Sequence, residues 1–151
     1  MKYLVFGIFS IFFPILIATN VLARSPALPA PCKNSSSYWH ECPGVRIFEN
    51  GDKYIGYFRD NKKDGRGIYY FTNGDWYDGD FNDNKIDGRG KYYFNNGDKY
   101  DGYFSANKKD GRGIYYFTNG DWYDGTFEDG KINSQGTYRY YGFLPIKITS
   151  K

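Results

Sequence analysis

The chain has 151 residues, a net charge of +3, 22% aromatic residues, one His and two Cys. That length holds one domain at most. Basic and acidic residues interleave, so the concentrated basic patch of a nucleic-acid binder is missing, and so few His and Cys leave little material for a metal site or a nucleophilic triad.

Residues 1–23 follow the three-part plan of a secretory signal peptide. Lys2 supplies a positive charge, an apolar run extends from Tyr3 to about Ala18, and Val21-Leu22-Ala23 precede a cut after Ala23. The run contains Pro14 and is shorter than the roughly 20 residues of a membrane span. A secreted or periplasmic protein is therefore expected, with an uncleaved N-terminal membrane anchor as the alternative. Residues 24–41 read as a linker, with Pro26, Pro29, Pro31 and the run Asn34-Ser35-Ser36-Ser37. Asn34-Ser35-Ser36 is also a glycosylation sequon, relevant only in a eukaryotic secretory pathway. In an oxidising compartment Cys32 and Cys42 are expected to pair as a disulfide ahead of the repeats. Metal binding by Cys32, His40 and Cys42 is the alternative, without paired ligand spacing to support it.

From residue 42 to residue 140 the sequence repeats. Tyr54, Tyr77, Tyr100 and Tyr123 recur every 23 residues, each followed two positions on by Gly56, Gly79, Gly102 and Gly125. A fixed period in this range signals a repeat array that presents an extended surface. Full units begin near Gly51, Gly74, Gly97 and Gly120, after a degenerate half-repeat at 42–48. Segments 51–79 and 97–125 differ only at Ile55/Asp101, Arg59/Ser105 and Asp60/Ala106, the mark of a duplicated two-unit block. The last unit decays, with Ser134 in place of Gly65, Gly88 and Gly111. Residues 141–151 read as a cap or tail.

Each unit predicts a β-hairpin. The first strand covers about Lys53–Arg59 and the second about Arg66–Thr72, linked by Asn61-Lys62-Lys63-Asp64-Gly65. Asn73-Gly74 leads to the next unit. The fold class is all-β, an open antiparallel meander of tandem hairpins. Alternation puts Tyr54, Gly56 and Phe58 on one face of the first strand, and Gly67, Tyr69 and Phe71 on one face of the second. These positions hardly vary between units and form the expected packing face, with rings seated over glycines. The opposite face varies. Its aromatic residues Tyr57, Tyr70, Trp76, Tyr93, Tyr103, Tyr116 and Trp122 form a candidate contact face, or else merely cover backbone in a thin sheet. Lys62, Lys63, Arg66, Lys85, Arg89, Lys108, Lys109 and Arg112 gather at one hairpin end as a candidate basic edge for anionic lipid or acidic polymers. Interleaved Asp60, Asp64, Asp83, Asp87 and Asp110 would neutralise much of it.

Tyr54-Ile55-Gly56-Tyr57-Phe58 with Gly65-Arg66-Gly67-Ile68-Tyr69, and Tyr100-Asp101-Gly102-Tyr103-Phe104 with Gly111-Arg112-Gly113-Ile114-Tyr115, resemble the MORN repeat (membrane occupation and recognition nexus). The resemblance implies a single curved sheet of hairpins. It also implies roles in scaffolding, oligomerisation or contact with membranes and phospholipids. Kinase or methyltransferase sequence, which accompanies such repeats in larger members, is not present here.

No catalytic, cofactor or metal residues emerge. His40 lies outside the repeats, and the recurring Asp75, Asp78, Asp98, Asp101, Asp121 and Asp124 suit turns and solvated strands better than a single acid–base pair. Residues 78–89 imitate a calcium loop, but Asp83 replaces its glycine and Arg89 its final glutamate. The expected role is a non-enzymatic, exported protein-binding or scaffolding module. The alternative is a phospholipid-surface or glycan-binding module, with Trp76 and Trp122 as stacking platforms. The partner is an unknown protein. A homodimer could form through the unpaired edge strands of an open sheet.

Overall fold

The computed structural model describes residues 30–33, 38–142 and 146–148. The signal segment at 1–23, most of the linker with its sequon at 34–36, and residues 143–145 and 149–151 of the cap lie outside the described residues.

Among the described residues, ten strands form one sheet whose order is the order of the chain. They are β1 (Cys42–Ile47), β2 (Lys53–Arg59), β3 (Lys62–Tyr70), β4 (Trp76–Asn82), β5 (Lys85–Tyr93), β6 (Lys99–Ser105), β7 (Lys108–Tyr116), β8 (Trp122–Glu128), β9 (Lys131–Arg139) and β10 (Ile146–Ile148). All neighbours are antiparallel, so the expected open meander is the observed fold.

The hairpin turns differ from the expected ones. The five residues Asn61–Gly65 do not link β2 to β3. The turn is the pair Asp60-Asn61, and both residues take positive φ (50° and 63°), the backbone of a tight type I′ turn. The remaining residues enter β3, and a bulge absorbs them. Gly56 pairs with Gly67 and Phe58 with Lys63, so Tyr57 alone faces Asp64, Gly65 and Arg66. The same irregularity recurs in each hairpin. Asn73-Gly74 belongs to a wider loop instead. The N–H of Gly74 bonds to the Phe71 carbonyl, and the N–H of Phe71 bonds to the Asp75 carbonyl.

One line of glycines crosses nine strands: Gly44, Gly56, Gly67, Gly79, Gly90, Gly102, Gly113, Gly125 and Gly136 are successive cross-strand partners. Beside it runs a line of tyrosines. Tyr54, Tyr69, Tyr77, Tyr92, Tyr100, Tyr115, Tyr123 and Tyr138 are likewise partners across β2–β9. Tyr54, Tyr77, Tyr100 and Tyr123 are 0% exposed. Each lies over two glycines, where a Cβ would collide with the ring. Edge-on phenylalanines complete the layer: Phe58 and Phe81 flank Tyr54 at 5.1 and 4.9 Å, and Phe104 and Phe127 flank Tyr100 at 5.1 and 4.8 Å. A single sheet thus builds its core from one face, using glycine to bring rings onto backbone.

Polar side chains join one unit to the next. The Asp52 carboxylate accepts from Tyr69 Oη and from the N–H of Thr72. Asp75 repeats this with Tyr92 and Asn95, and Asp98 with Tyr115 and Thr118. Burial raises the pKa of these carboxyls, but the donated hydrogen bonds outweigh it and hold all three below the ordinary aspartate range. At the opposite hairpin ends, Asn84 Oδ1 accepts from Lys63 N–H, and Asn107 Oδ1 from Ile86 N–H. The N–H of each asparagine donates back to the carbonyl of the same residue.

The N-terminal end of the array is covered. Trp39 bonds to Asn61 through both its N–H and its carbonyl, in the manner of Lys63 and Asn84 one unit later. Its ring meets Phe58 edge-on at 4.7 Å, with the Arg46 guanidinium over both rings. Cys32 and Cys42 form a disulfide that ties this segment to β1. His40 turns to Asp60 at 2.7 Å.

Candidate binding surfaces

The face opposite the ring layer carries a third line of partners: Lys53, Tyr70, Trp76, Tyr93, Lys99, Tyr116, Trp122 and Arg139. Five of the seven candidate contact residues fall in it. Trp76 and Tyr93 stack face to face, centroids 3.7 Å apart and planes within 3°. Lys53 lies over Tyr70 at 5.0 Å, Lys99 over Tyr116 at 4.2 Å and Arg139 over Trp122 at 5.8 Å. The other two candidates, Tyr57 and Tyr103, stand on the same face at the bulges and are 37% and 50% exposed. Between the two lines runs a polar strip. Arg66 contacts Asp78 at 2.9 Å, and Lys91 meets Asp101 at 3.6 Å. Arg89 and Arg112 are held loosely, 3.9 Å from Asp101 and 3.7 Å from Asp124. Two open recesses of about 310 and 320 Å³ share Arg89 and Asp101 and extend to Arg112 and to Arg66 respectively.

The eight candidate cations do not assemble into one basic edge. Neighbouring residues on a strand point to opposite faces, and the two extra residues of the bulge between Lys63 and Gly67 leave that parity unchanged, so Lys63 and Arg66 face opposite ways. Lys62 and Lys108 pair with Asp83 and Asp129 beside the turns. Arg66, Arg89 and Arg112 join the polar strip, and Lys85 is exposed at the start of β5. Lys63 and Lys109 fold onto the ring face, where burial pushes their ammonium pKa down. The sequence carried a signal for this last placement: the same register holds Ile86 and Ile132, and an apolar alternative marks an inward position.

Residues 54–76, 77–99, 100–122 and 123–142 each match the MORN repeat, four consecutive copies that together span more than half of the chain. The chain belongs to the MORN repeat family. No curated protein matches it. The MORN units follow the hairpins: each match opens on the tyrosine that lies over the glycine line, and the first three close at the residue before the next such tyrosine. A repeat-based binding module follows from this architecture, because the conserved register of Tyr, Gly and Phe is spent on packing while the other face varies from unit to unit.

Proposed function

We propose that this MORN protein is an exported, non-catalytic module that binds a protein partner through the polar-aromatic face of its sheet. The reading rests on one observation: an unbroken line of aromatic and cationic side chains from Lys53 to Arg139 on the face that the core does not use. Aromatic and arginine side chains are the groups that anchor protein interfaces. The stacked pair Trp76–Tyr93 turns its ring faces inward to each other, which suits edge contacts with a protein better than the open ring face a sugar needs. Export is supported by the Cys32–Cys42 disulfide, since such bridges persist in oxidising compartments, and by the signal-like residues 1–23.

The test is photo-crosslinking in the native compartment from a probe placed at Tyr103, comparing wild type with Trp76→Ala and Trp122→Ala. A discrete partner adduct, weakened in both variants, is expected. An identical adduct pattern in all three proteins refutes the assignment of this face. An anionic lipid surface is the second reading, favoured by the loosely held Arg89 and Arg112. Vesicle flotation at low and high salt separates the two, because lipid attraction is screened by salt.

A further inference from the structure

One register of the repeat alternates between cation and hydrocarbon: Lys63, Ile86, Lys109 and Ile132. Each pairs with a core phenylalanine on the neighbouring strand, respectively Phe58, Phe81, Phe104 and Phe127. Ile86 shows what packing alone requires there, since it is 7% exposed and seals against the rings. Lysine at the same place brings a charge the fold does not need. Lys63 Nζ hangs 4.3 Å from the centre of Tyr69, 5.1 Å from Phe48 and 5.7 Å from Phe81. Lys109 Nζ repeats this over Tyr115, Phe94 and Phe127 at 4.6, 5.5 and 5.6 Å.

Neither ammonium has a hydrogen bond or ion pair among the described residues, whereas the adjacent Lys62 and Lys108 are both paired. The nearby carboxylates of Asp52 and Asp98 are already taken by tyrosine hydroxyls and backbone amides. Ring faces replace only part of the lost hydration of a cation. Beside Lys63 lies a recess of about 110 Å³ lined by Tyr69, Phe81, Asn84, Ile86 and Asn107. The two asparagines use their side-chain oxygens on the amides of Lys63 and Ile86.

We propose that Lys63 in its recess, and Lys109 in the same register four strands on, bind carboxylate side chains of an acidic protein segment lying across the strands of the ring face. An unpaired ammonium matches the acceptor-only carboxylate, and the rings take up the methylenes of its stem; asparagines stand beside Lys63 alone, since Gly130 holds the register of Asn84 next to Lys109. The spacing sets the ligand. β3 and β7 are four strands apart, about 19 Å at about 4.8 Å per strand. An extended chain covers that in about six residues at roughly 3.3 Å each. Ile86 lies midway, so an apolar residue three positions along meets it. The pattern is acid-x-x-apolar-x-x-acid. This site lies on the other face from the line Lys53–Arg139, so each reading stands or falls alone.

The probe is the peptide Glu-Thr-Ser-Val-Ser-Thr-Glu, titrated against the purified protein by NMR and by fluorescence anisotropy. Saturable binding is expected, about tenfold weaker in Lys63→Ile or Lys109→Ile and below detection in the double variant. The Ile86 precedent keeps these variants folded, which a thermal melt checks, and Trp76→Ala leaves the affinity unchanged. Equal affinity for the Gln/Gln peptide, undiminished binding by the folded double variant, or no binding at millimolar peptide would each overturn the proposal. Association with anionic vesicles that is lost in the same double variant, without peptide binding, assigns the site to lipid and equally refutes the protein occupant.

Discussion

Replacing Gly102 by alanine reverses the sign that strand propensity gives. Glycine inside a strand costs roughly 0.5–1 kcal/mol relative to alanine, so a generic sheet gains from the change. Here a Cβ would sit 2.6 Å from the Gly113 Cα across the strand and inside the contact distance of the Tyr100 ring. Tyr100 is completely buried, donates its hydroxyl to the Tyr103 carbonyl at 2.9 Å, and supports Phe104 and Phe127 at its edges. Overpacking with a small shift costs about 1–3 kcal/mol. Expulsion of the ring approaches the roughly 3–5 kcal/mol of an aromatic truncation, with about 1 kcal/mol more for the hydrogen bond. Less the propensity gain, the expected loss is about 3 kcal/mol. With a urea slope of about 1–3 kcal/mol per molar, the midpoint falls by at least about 1 M. Hydrogen exchange along β6–β8 localises the loss, since repeat arrays need not unfold in one step. Gly130→Ala is the control: nothing lies within 4 Å of its Cβ, so only the positive φ of 85° opposes it. A Gly102→Ala midpoint at or above wild type, or a loss no larger than that of Gly130→Ala, refutes the ring-over-glycine account.

Three further outcomes are expected. Asp52, Asp75 and Asp98 are held below the unfolded aspartate value of about 3.9. Their stabilisation is therefore fully present above that pH and drains away as pH falls through the lowered folded values. Tyr92→Phe, which removes one donor to Asp75, should cost about 1.5 kcal/mol at neutral pH and flatten the acid limb of the melting profile. A fold whose melting temperature is flat from pH 6 to pH 2 would contradict this. Asn84→Ala loses the bond to Lys63 and places alanine at φ 71°, whereas Asn84→Gly loses the bond alone. Urea melts should rank alanine worse by about 1 kcal/mol, and equal losses would show that the turn backbone is not strained. Reducing Cys32–Cys42 should remove about 2–3 kcal/mol and raise exchange in β1 and β2 first. Uniform loss over all strands would mean that the bridge does more than secure the N-terminal cap.

The repeat made most of the fold legible. A period of 23 residues, with Tyr, Gly and Phe in alternation, carries both the meander and the identity of the packing face, because side-chain parity on a strand leaves no other arrangement. Parity also separates the candidate cations. Lys63 and Arg66 are three residues apart, so alternation alone sends Lys63 to the rings and Arg66 to Asp78, and nearness to one hairpin end does not make them one edge. The hairpin turn is less legible. Asp60-Asn61 takes the left-handed backbone that glycine usually supplies, and Asn61 is then fixed by its bond to Trp39 from outside the repeat. Trp39 gives no sign in the sequence of being a cap, since a lone aromatic in a linker carries no register until its backbone partners are known. The aspartates read as turn residues in the sequence. Their second role, as acceptors for a tyrosine hydroxyl and for the next loop, depends on contacts about 20 residues away.

Two periods coexist in this sheet, and they divide its tasks. Every position that holds the layer together, such as Tyr54, Phe58, Gly67 and Asp75, returns each 23 residues, because each strand pair must solve the same packing problem. The positions that return only each 46 residues are of a different kind: Lys53 and Lys99 against Trp76 and Trp122, Lys63 and Lys109 against Ile86 and Ile132, Ile68 and Ile114 against Lys91. At each of these, charge alternates with hydrocarbon, so packing does not dictate the choice. A ligand that spans the strands on either face therefore meets a chemical pattern repeating every four strands, about 19 Å. One whose own groups recur at that interval gains two matched contacts within one binding event, and the second is formed at high effective concentration. Shifting the two-unit register, by exchanging Lys63 with Ile86 and Lys109 with Ile132, preserves composition, net charge and the 46-residue interval while moving both cations by two strands. The acid-x-x-apolar-x-x-acid peptide should still bind the exchanged protein, its footprint displaced by about 10 Å toward the C-terminal end. A footprint that stays at β3–β7 would mean that the ligand reads the constant rings and not the alternating charge.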